Sequence, residues 1–259
     1  MKITSLTMRT GLRIAVVLCI LLTLWELTGR WTDSMRFLVS TPAESWNYGM
    51  VHSQDLILAF GVTALESIAG LALAFAFAVS AVIVGLYFTP VYRWMLPAAV
   101  VSQVIPIVSL APFFIMVFGL GLSGKVAMAA SMCFFPIFIN FSSGVMGIDK
   151  SVRDLVFIYA FSRSRAIFRV FIPLSIPNVF AGLRIASTLA VIGAIVAEFN
   201  GADRGLGKNL FLAAKRLEPE LMMVSLLLSS LLGGALYLAL GRIEHAVGYW
   251  YSPRQVFGL

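Results

Sequence analysis

Charge is what this sequence has least of. Only 12% of its 259 residues are Asp, Glu, Lys or Arg, half of the about 25% typical of a soluble domain. With 60% hydrophobic residues and a mean hydropathy of +0.94, that scarcity excludes an ordinary soluble domain. The length is instead spent on helical spans of about 20 residues each. Cysteine and histidine are nearly missing, at two each. Cys19 and Cys133 both lie in apolar runs and read as buried small apolar residues, with neither a disulfide framework nor a metal site. His52 and His245 are far apart, and no Ser/His/Asp, HExxH or cysteine cluster appears, so a membrane-embedded enzyme has little support. Lys2, Arg9 and Arg13 precede the first apolar run, but no small-residue cleavage site follows, whereas Trp25, Glu26 and Trp31 do. The run is therefore read as an uncleaved span. No linker, low-complexity tract or internal repeat is visible. The net charge of +7 is no nucleic-acid signal, because the cations are scattered between spans.

What is present is a series of long apolar runs. Six spans are expected, at roughly Gly11–Leu27, Leu56–Phe88, Pro97–Phe118, Val126–Val145, Val179–Phe199 and Leu221–Leu240. A polar connection containing Ser40-Thr41-Pro42 follows the first. The second exceeds a simple span, so it is tilted or preceded by a packed amphipathic turn. Its alternating Leu71–Ala78 stretch has the look of a strand, but backbone in lipid must satisfy itself, which selects helix. Alanines 72, 74, 76 and 78, with Gly70 and Gly85, offer surfaces for close helix contact. Pro106 and Pro112 predict a kink or break in the third span. Three segments follow: 1–55, a core at 56–245, and a tail at 246–259.

Between the fourth and fifth spans lies a basic insert, 149–177, carrying Lys150, Arg153, Arg163, Arg165 and Arg169 against Asp149 and Asp154. It decides the orientation. With the N-terminus inside, eleven Lys and Arg fall on the inner side and seven on the outer, with Arg184 inside a span, which places both termini in the cytoplasm.

Two motifs are decoys. Gly119–Val126 nearly matches the phosphate-loop pattern but has Val126 where a hydroxyl should reach magnesium, and no strand precedes it. A tight external turn is the better reading. Asn140-Phe141-Ser142 matches a glycosylation acceptor inside a span and is discarded. Among charges in or near spans, Glu26 and Glu198 sit near span ends, where the cost is small. Arg184, about one turn into the fifth span, can snorkel to the cytoplasmic side as an anchor. Glu66 lies nearest a span interior and is read as a packing residue. The loop Glu198–Gly207 holds Gly201, Gly205 and Gly207 around Asp203 and Arg204. It reads as a compact external turn whose Asp203 and Arg204 pair with each other or meet an external partner.

Several stretches, in order, resemble the permease subunits of binding-protein-dependent ABC importers, most closely the nitrate/sulfonate/taurine group, which includes permeases for vitamin precursors. They are Leu110–Gly119, Ser164-Arg165 with Phe168-Arg169, Ile172-Pro173 and Ile176-Pro177, Ala181–Ala186, and Ala197–Gly207. The resemblance implies an all-α integral membrane protein of the type I importer fold. It further implies a bacterial inner-membrane location and alternating access driven by two copies of a separate ATPase that binds the ATP and magnesium. The expected partners are a second permease copy, as a homodimer, and an extracytoplasmic solute-binding protein; no cofactor is expected in this chain. The family's cytoplasmic signature is Glu-Ala-Ala, a later glycine and an Ile/Leu-Pro, and it docks on the ATPase. Here it falls on Val156-Phe157-Ile158 and Ser162, so the acidic-alanine core and the glycine are missing and the proline end remains. The residues implied for docking are Arg153, Asp154, Phe157, Phe161, Ser162, Arg163, Arg165, Phe168, Arg169 and Pro173. Phe157, Phe161, Ile167, Phe168 and Phe171 would be the anchors, with the arginines steering. The alternative is an ion-coupled secondary carrier or channel, which predicts an intramembrane ion site and an inverted repeat.

Overall fold

The computed structural model describes residues 39–247 apart from 103 and 105, together with helical residues 16, 19, 20 and 23–27. Most of the first expected span, and residues 248–259 of the expected tail, lie outside the described residues. Ten α-helices follow from residue 42: α1 Pro42–Val51, α2 Ser53–Tyr87, α3 Thr89–Ser102, α4 Ala111–Phe118, α5 Leu122–Met146, α6 Lys150–Ile158, α7 Arg163–Ala166, α8 Ile172–Glu198, α9 Leu206–Arg216 and α10 Pro219–Val247. No strand occurs among the described residues, and the Leu71–Ala78 stretch is helical.

Among the described residues, four helices are long and apolar enough to cross a membrane: α2, α5, the continuous run Arg163–Glu198 and α10. They correspond to the second, fourth, fifth and sixth expected spans. The expected third span is broken. Helix α3 ends at Ser102, Ile107–Leu110 forms a 3₁₀ turn after Pro106, and α4 restarts with Pro112 in its first turn. Proline lacks an N–H, so it opens a helix far better than it continues one.

The expected boundary between the basic insert and the fifth span is corrected. Helix α7 runs through a π-helical turn, Ile167–Phe171, straight into α8, so the second half of the insert is the first turns of a 36-residue helix. The π turn immediately precedes Pro173, where the regular bonding pattern has to yield.

Helix α5 is the hub, packing most heavily on α8 and then on α2. Lipid is as apolar as leucine, so association here depends on close van der Waals fit rather than on burial from water. Small residues supply the fit. A Cβ on Gly70 of α2 would lie 2.5 Å from the Ala129 Cβ, and one on Gly193 of α8 would lie 2.7 Å from the Ala129 Cα. Ala129 is thus wedged between two glycines. Of the α2 alanines expected to pack, Ala74 and Ala78 are buried with Gly70, Val82 and Gly85. Ala72 and Ala76 face outward, because only the three-and-four spacing shares a helix face. Cys133 is buried, its thiol on the Ala186 carbonyl, but Cys19 is exposed, against expectation.

Candidate functional site

The turns of the bundle gather at two ends. At one end the basic insert folds as α6, a turn and α7. Arg153 closes the last turn of α5, donating from Nη2 to the Val145 and Met146 carbonyls at 3.0 and 2.9 Å. Arg163 donates to the Leu86 carbonyl near the end of α2 at 3.1 Å. Both guanidiniums therefore sit on helix C-termini, where unpaired carbonyls favour a cation. Arg165 lies over the Phe161 ring at 5.8 Å, and Asp154 and Arg169 are exposed.

Helix α6 buries none of its residues. Phe157 is 86% exposed, and Leu155, Ile158 and Tyr159 beside it are exposed too. Phe168 is also exposed and Phe161 is half-buried, as is Pro173. Two expected anchors are corrected. Ile167 is 1% exposed, and Phe171 packs against the main core; both face inward because the helix they open belongs to the bundle. The glycine absent at Ser162 is not needed there, since Ser162 has φ −62° and ψ 149° as the residue preceding α7. The left-handed turn falls instead on Ala160, at φ 49°.

At the opposite end the structure revises the reading of Glu198. The residue ends α8, yet it is 1% exposed. Its Oε1 accepts from the Thr63 hydroxyl of α2 at 2.7 Å, and its Oε2 from the backbone N–H of Gly207. The Thr63 oxygen in turn accepts the Leu206 N–H at 2.8 Å. Those amides open α9 and lack partners within it, so a buried carboxylate and hydroxyl cap the helix. Gly201 and Gly205 have φ of 111° and 138°, conformations that glycine alone adopts readily. A side chain at Gly205 or Gly207 would also strike Glu198, with a Cβ 2.2 or 2.7 Å from its carboxyl group.

Glu66 is also 1% exposed, and Lys125 of α5, 12% exposed, pairs with it at 2.8 Å. The lysine of the phosphate-loop decoy is therefore an internal counter-ion. Asp203 and Arg204 are exposed and form no ion pair with each other; Lys208 donates to the Asp203 carbonyl oxygen. Both line a mixed-charge cleft of about 330 Å³ with Tyr48, His52, Asp55, Lys208, Arg216 and Glu218. Burial, with Glu218 and Glu220 nearby, pushes the Tyr48 hydroxyl above its ordinary value.

Arg184 lies well inside the long helix rather than one turn from its start. It pairs with Glu244 of α10 at 2.7 Å and sits 5.4 Å from the Tyr237 ring, so it ties two spanning helices together. Among the described residues no cluster of His, Cys, Asp and Glu is arranged to hold a metal.

Two helices at this end escaped the sequence reading. Helix α1 lies in the segment expected as a polar connection, although Thr41-Pro42-Ala43-Glu44 spells a capping box, with Thr41 and Glu44 each bonding the other's backbone N–H at 3.2 and 2.8 Å. Helix α9 begins at the end of the expected loop Glu198–Gly207 and is not expected from the sequence, although Leu206, Leu210 and Ala213 recur at helical spacing and Lys215 and Arg216 occupy its last turn.

Comparison with known proteins matches this architecture. Residues 77–255 fit the family described as binding-protein-dependent transport system inner membrane component. A probable ABC transporter permease protein of Haemophilus influenzae is 27% identical over 89% of this chain and 94% of its own. A formylaminopyrimidine transport permease protein of Halalkalibacterium halodurans is 29% identical over 89% and 92%. A riboflavin transport system permease protein of Chloroflexus aurantiacus is 33% identical over 61% and 60%. With four membrane-length helices and a matched region spanning well over half of its length, the chain belongs to the binding-protein-dependent inner-membrane transport family, as a multi-pass permease subunit of an ABC importer.

Proposed function

We propose that two copies of this chain form the translocation path, that two ATPase subunits seat on the 149–177 inserts, and that a solute-binding protein delivers cargo at the opposite end. The termini and the insert then share the cytoplasmic side. ATP and magnesium belong to the partner ATPase. Closure of that ATPase pair draws the inserts together and turns the bundle from inward- to outward-facing, and ATP supplies the differential binding energy the shift requires. Residues 1–55 carry the first span and its external connection, 56–245 the core, and 246–259 a cytoplasmic tail.

The observation that carries this reading is α6. It is an amphipathic helix with no buried residue and with Phe157 86% exposed, at the bundle end where the arginines gather. Exposed aromatics ringed by charge are how a docking anchor looks before its partner arrives. The valine, phenylalanine and isoleucine in place of an acidic-alanine core suit a more apolar groove on the ATPase. For the solute, the formylaminopyrimidine and riboflavin permeases among the relatives favour small heterocycles related to vitamins.

Proteoliposomes holding the purified complex, with ATP trapped inside and the binding protein outside, test this directly. Labelled formylaminopyrimidine is expected to accumulate only with ATP. Phe157→Asp is expected to cut the rate at least about tenfold, as hot-spot truncations do. ATP-independent uptake driven by an ion gradient would favour the secondary carrier.

A further inference from the structure

The polar groups at the end opposite the insert form one connected chain. The Leu206 and Gly207 amides of α9 are held by Thr63 of α2 and Glu198 of α8. Three residues along the same face of α2, Glu66 is held by Lys125 of α5. Glu66 and Glu198 lie close enough to act on each other both by charge and by a hydrogen bond between their carboxyl groups. Two buried carboxylates are therefore offset by a single lysine and the amide end of one short helix. That balance holds only while α9 stays in place. Withdrawing α9 would take the Gly207 amide from Glu198 Oε2 and leave the carboxyl group buried beside a second one with Thr63 as its remaining donor, a costly arrangement. Helix α9 is also a wall of the charged cleft that contains Asp203, Arg204, Lys208 and Arg216.

We propose that Thr63 and Glu198 are positioning residues that couple α9 to the bundle, so that a partner docking on the charged cleft acts on α2 and α5 through them. The proposal rests on the reading that the binding protein engages this end. Coupling between sites requires an element that both sites bias, and α9 is placed to be that element. It touches the cleft on one side and the buried acid pair on the other.

The test uses the full complex of permease, ATPase and binding protein in lipid nanodiscs, and measures ATP hydrolysis with and without the binding protein. Thr63→Val keeps the side-chain volume and removes the hydroxyl. It is expected to leave basal hydrolysis and ATPase stoichiometry unchanged while lowering binding-protein stimulation about tenfold. Thr63→Ser, which keeps the hydroxyl, is expected to restore stimulation. Glu198→Gln, which keeps one acceptor oxygen of two, is expected to lower stimulation as well. Undiminished stimulation in Thr63→Val and Glu198→Gln would overturn the proposal. So would a Thr63→Val complex that loses basal hydrolysis in step with stimulation or fails to assemble, because the contact would then serve only as structure. A wild-type complex that the binding protein does not stimulate would refute the functional reading, and this inference with it.

Discussion

Lys125→Met is expected to destabilise the folded bundle by about 3–5 kcal/mol, the usual cost of removing one partner from a buried ion pair. The methylene stem is kept and the charge is lost, which leaves Glu66, 1% exposed, beside Glu198 with no cation. Two carboxylates would then share one low-dielectric site. The purified variant should unfold in detergent well below the parent temperature and aggregate on size exclusion. Glu66→Gln combined with Lys125→Met should recover most of the loss, because a neutral amide no longer needs the cation. A Lys125→Met variant as stable as the parent would show that the pair contributes nothing, as many exposed pairs do.

The second large effect concerns the wedge at Ala129. Gly70→Ala places a methyl 2.5 Å from the Ala129 Cβ, and Gly193→Ala places one 2.7 Å from the Ala129 Cα. Each overpacks a helix contact and should cost about 1–3 kcal/mol. The two clashes differ in what they strike. Gly70→Ala meets chiefly the Ala129 methyl, with the Ala130 N and Ala129 C behind it at 3.1 and 3.2 Å, so Ala129→Gly should restore part of its stability. Gly193→Ala meets backbone, which no substitution at 129 removes, so the same second change should not rescue it. Thermal unfolding of the two single and two double variants reads this out. Equal rescue of both would mean that the helices shift apart freely and that close approach is not what holds α5 to α2 and α8.

Much of the fold is legible in the sequence because lipid admits few solutions. An apolar run such as 56–88 can only be a helix, and the break expected at Pro106 follows from a missing N–H. The insert at 149–177 is equally visible, as five cations beside long apolar runs. What escaped has a physical reason too. In sequence Glu198 sits near a span end, and distance to the nearest polar loop cannot reveal that the chain turns back over it. Only the fold brings the α9 amides and Thr63, 135 residues away, onto its carboxylate. In sequence Lys125 is one cation of a turn, and only the fold sets Glu66, 59 residues earlier, against it. In sequence Ile167 and Phe171 have the look of surface anchors because composition alone cannot separate the exposed helix α6 from the start of a spanning helix. Hydrophobic period within 163–177 carries no mark of the bundle that covers one side of it.

The most direct measurement is co-purification of the tagged chain from native membranes in mild detergent, with mass spectrometry of what accompanies it. It would be run beside a variant carrying Phe157→Asp and Phe168→Asp, the two most exposed phenylalanines of the insert. The account predicts a stoichiometric ATPase with the parent chain and its loss from the variant, with the variant permease still monodisperse. A parent chain that purifies without any ATPase, or a variant that retains it in full, would contradict the docking of an ATPase on this insert.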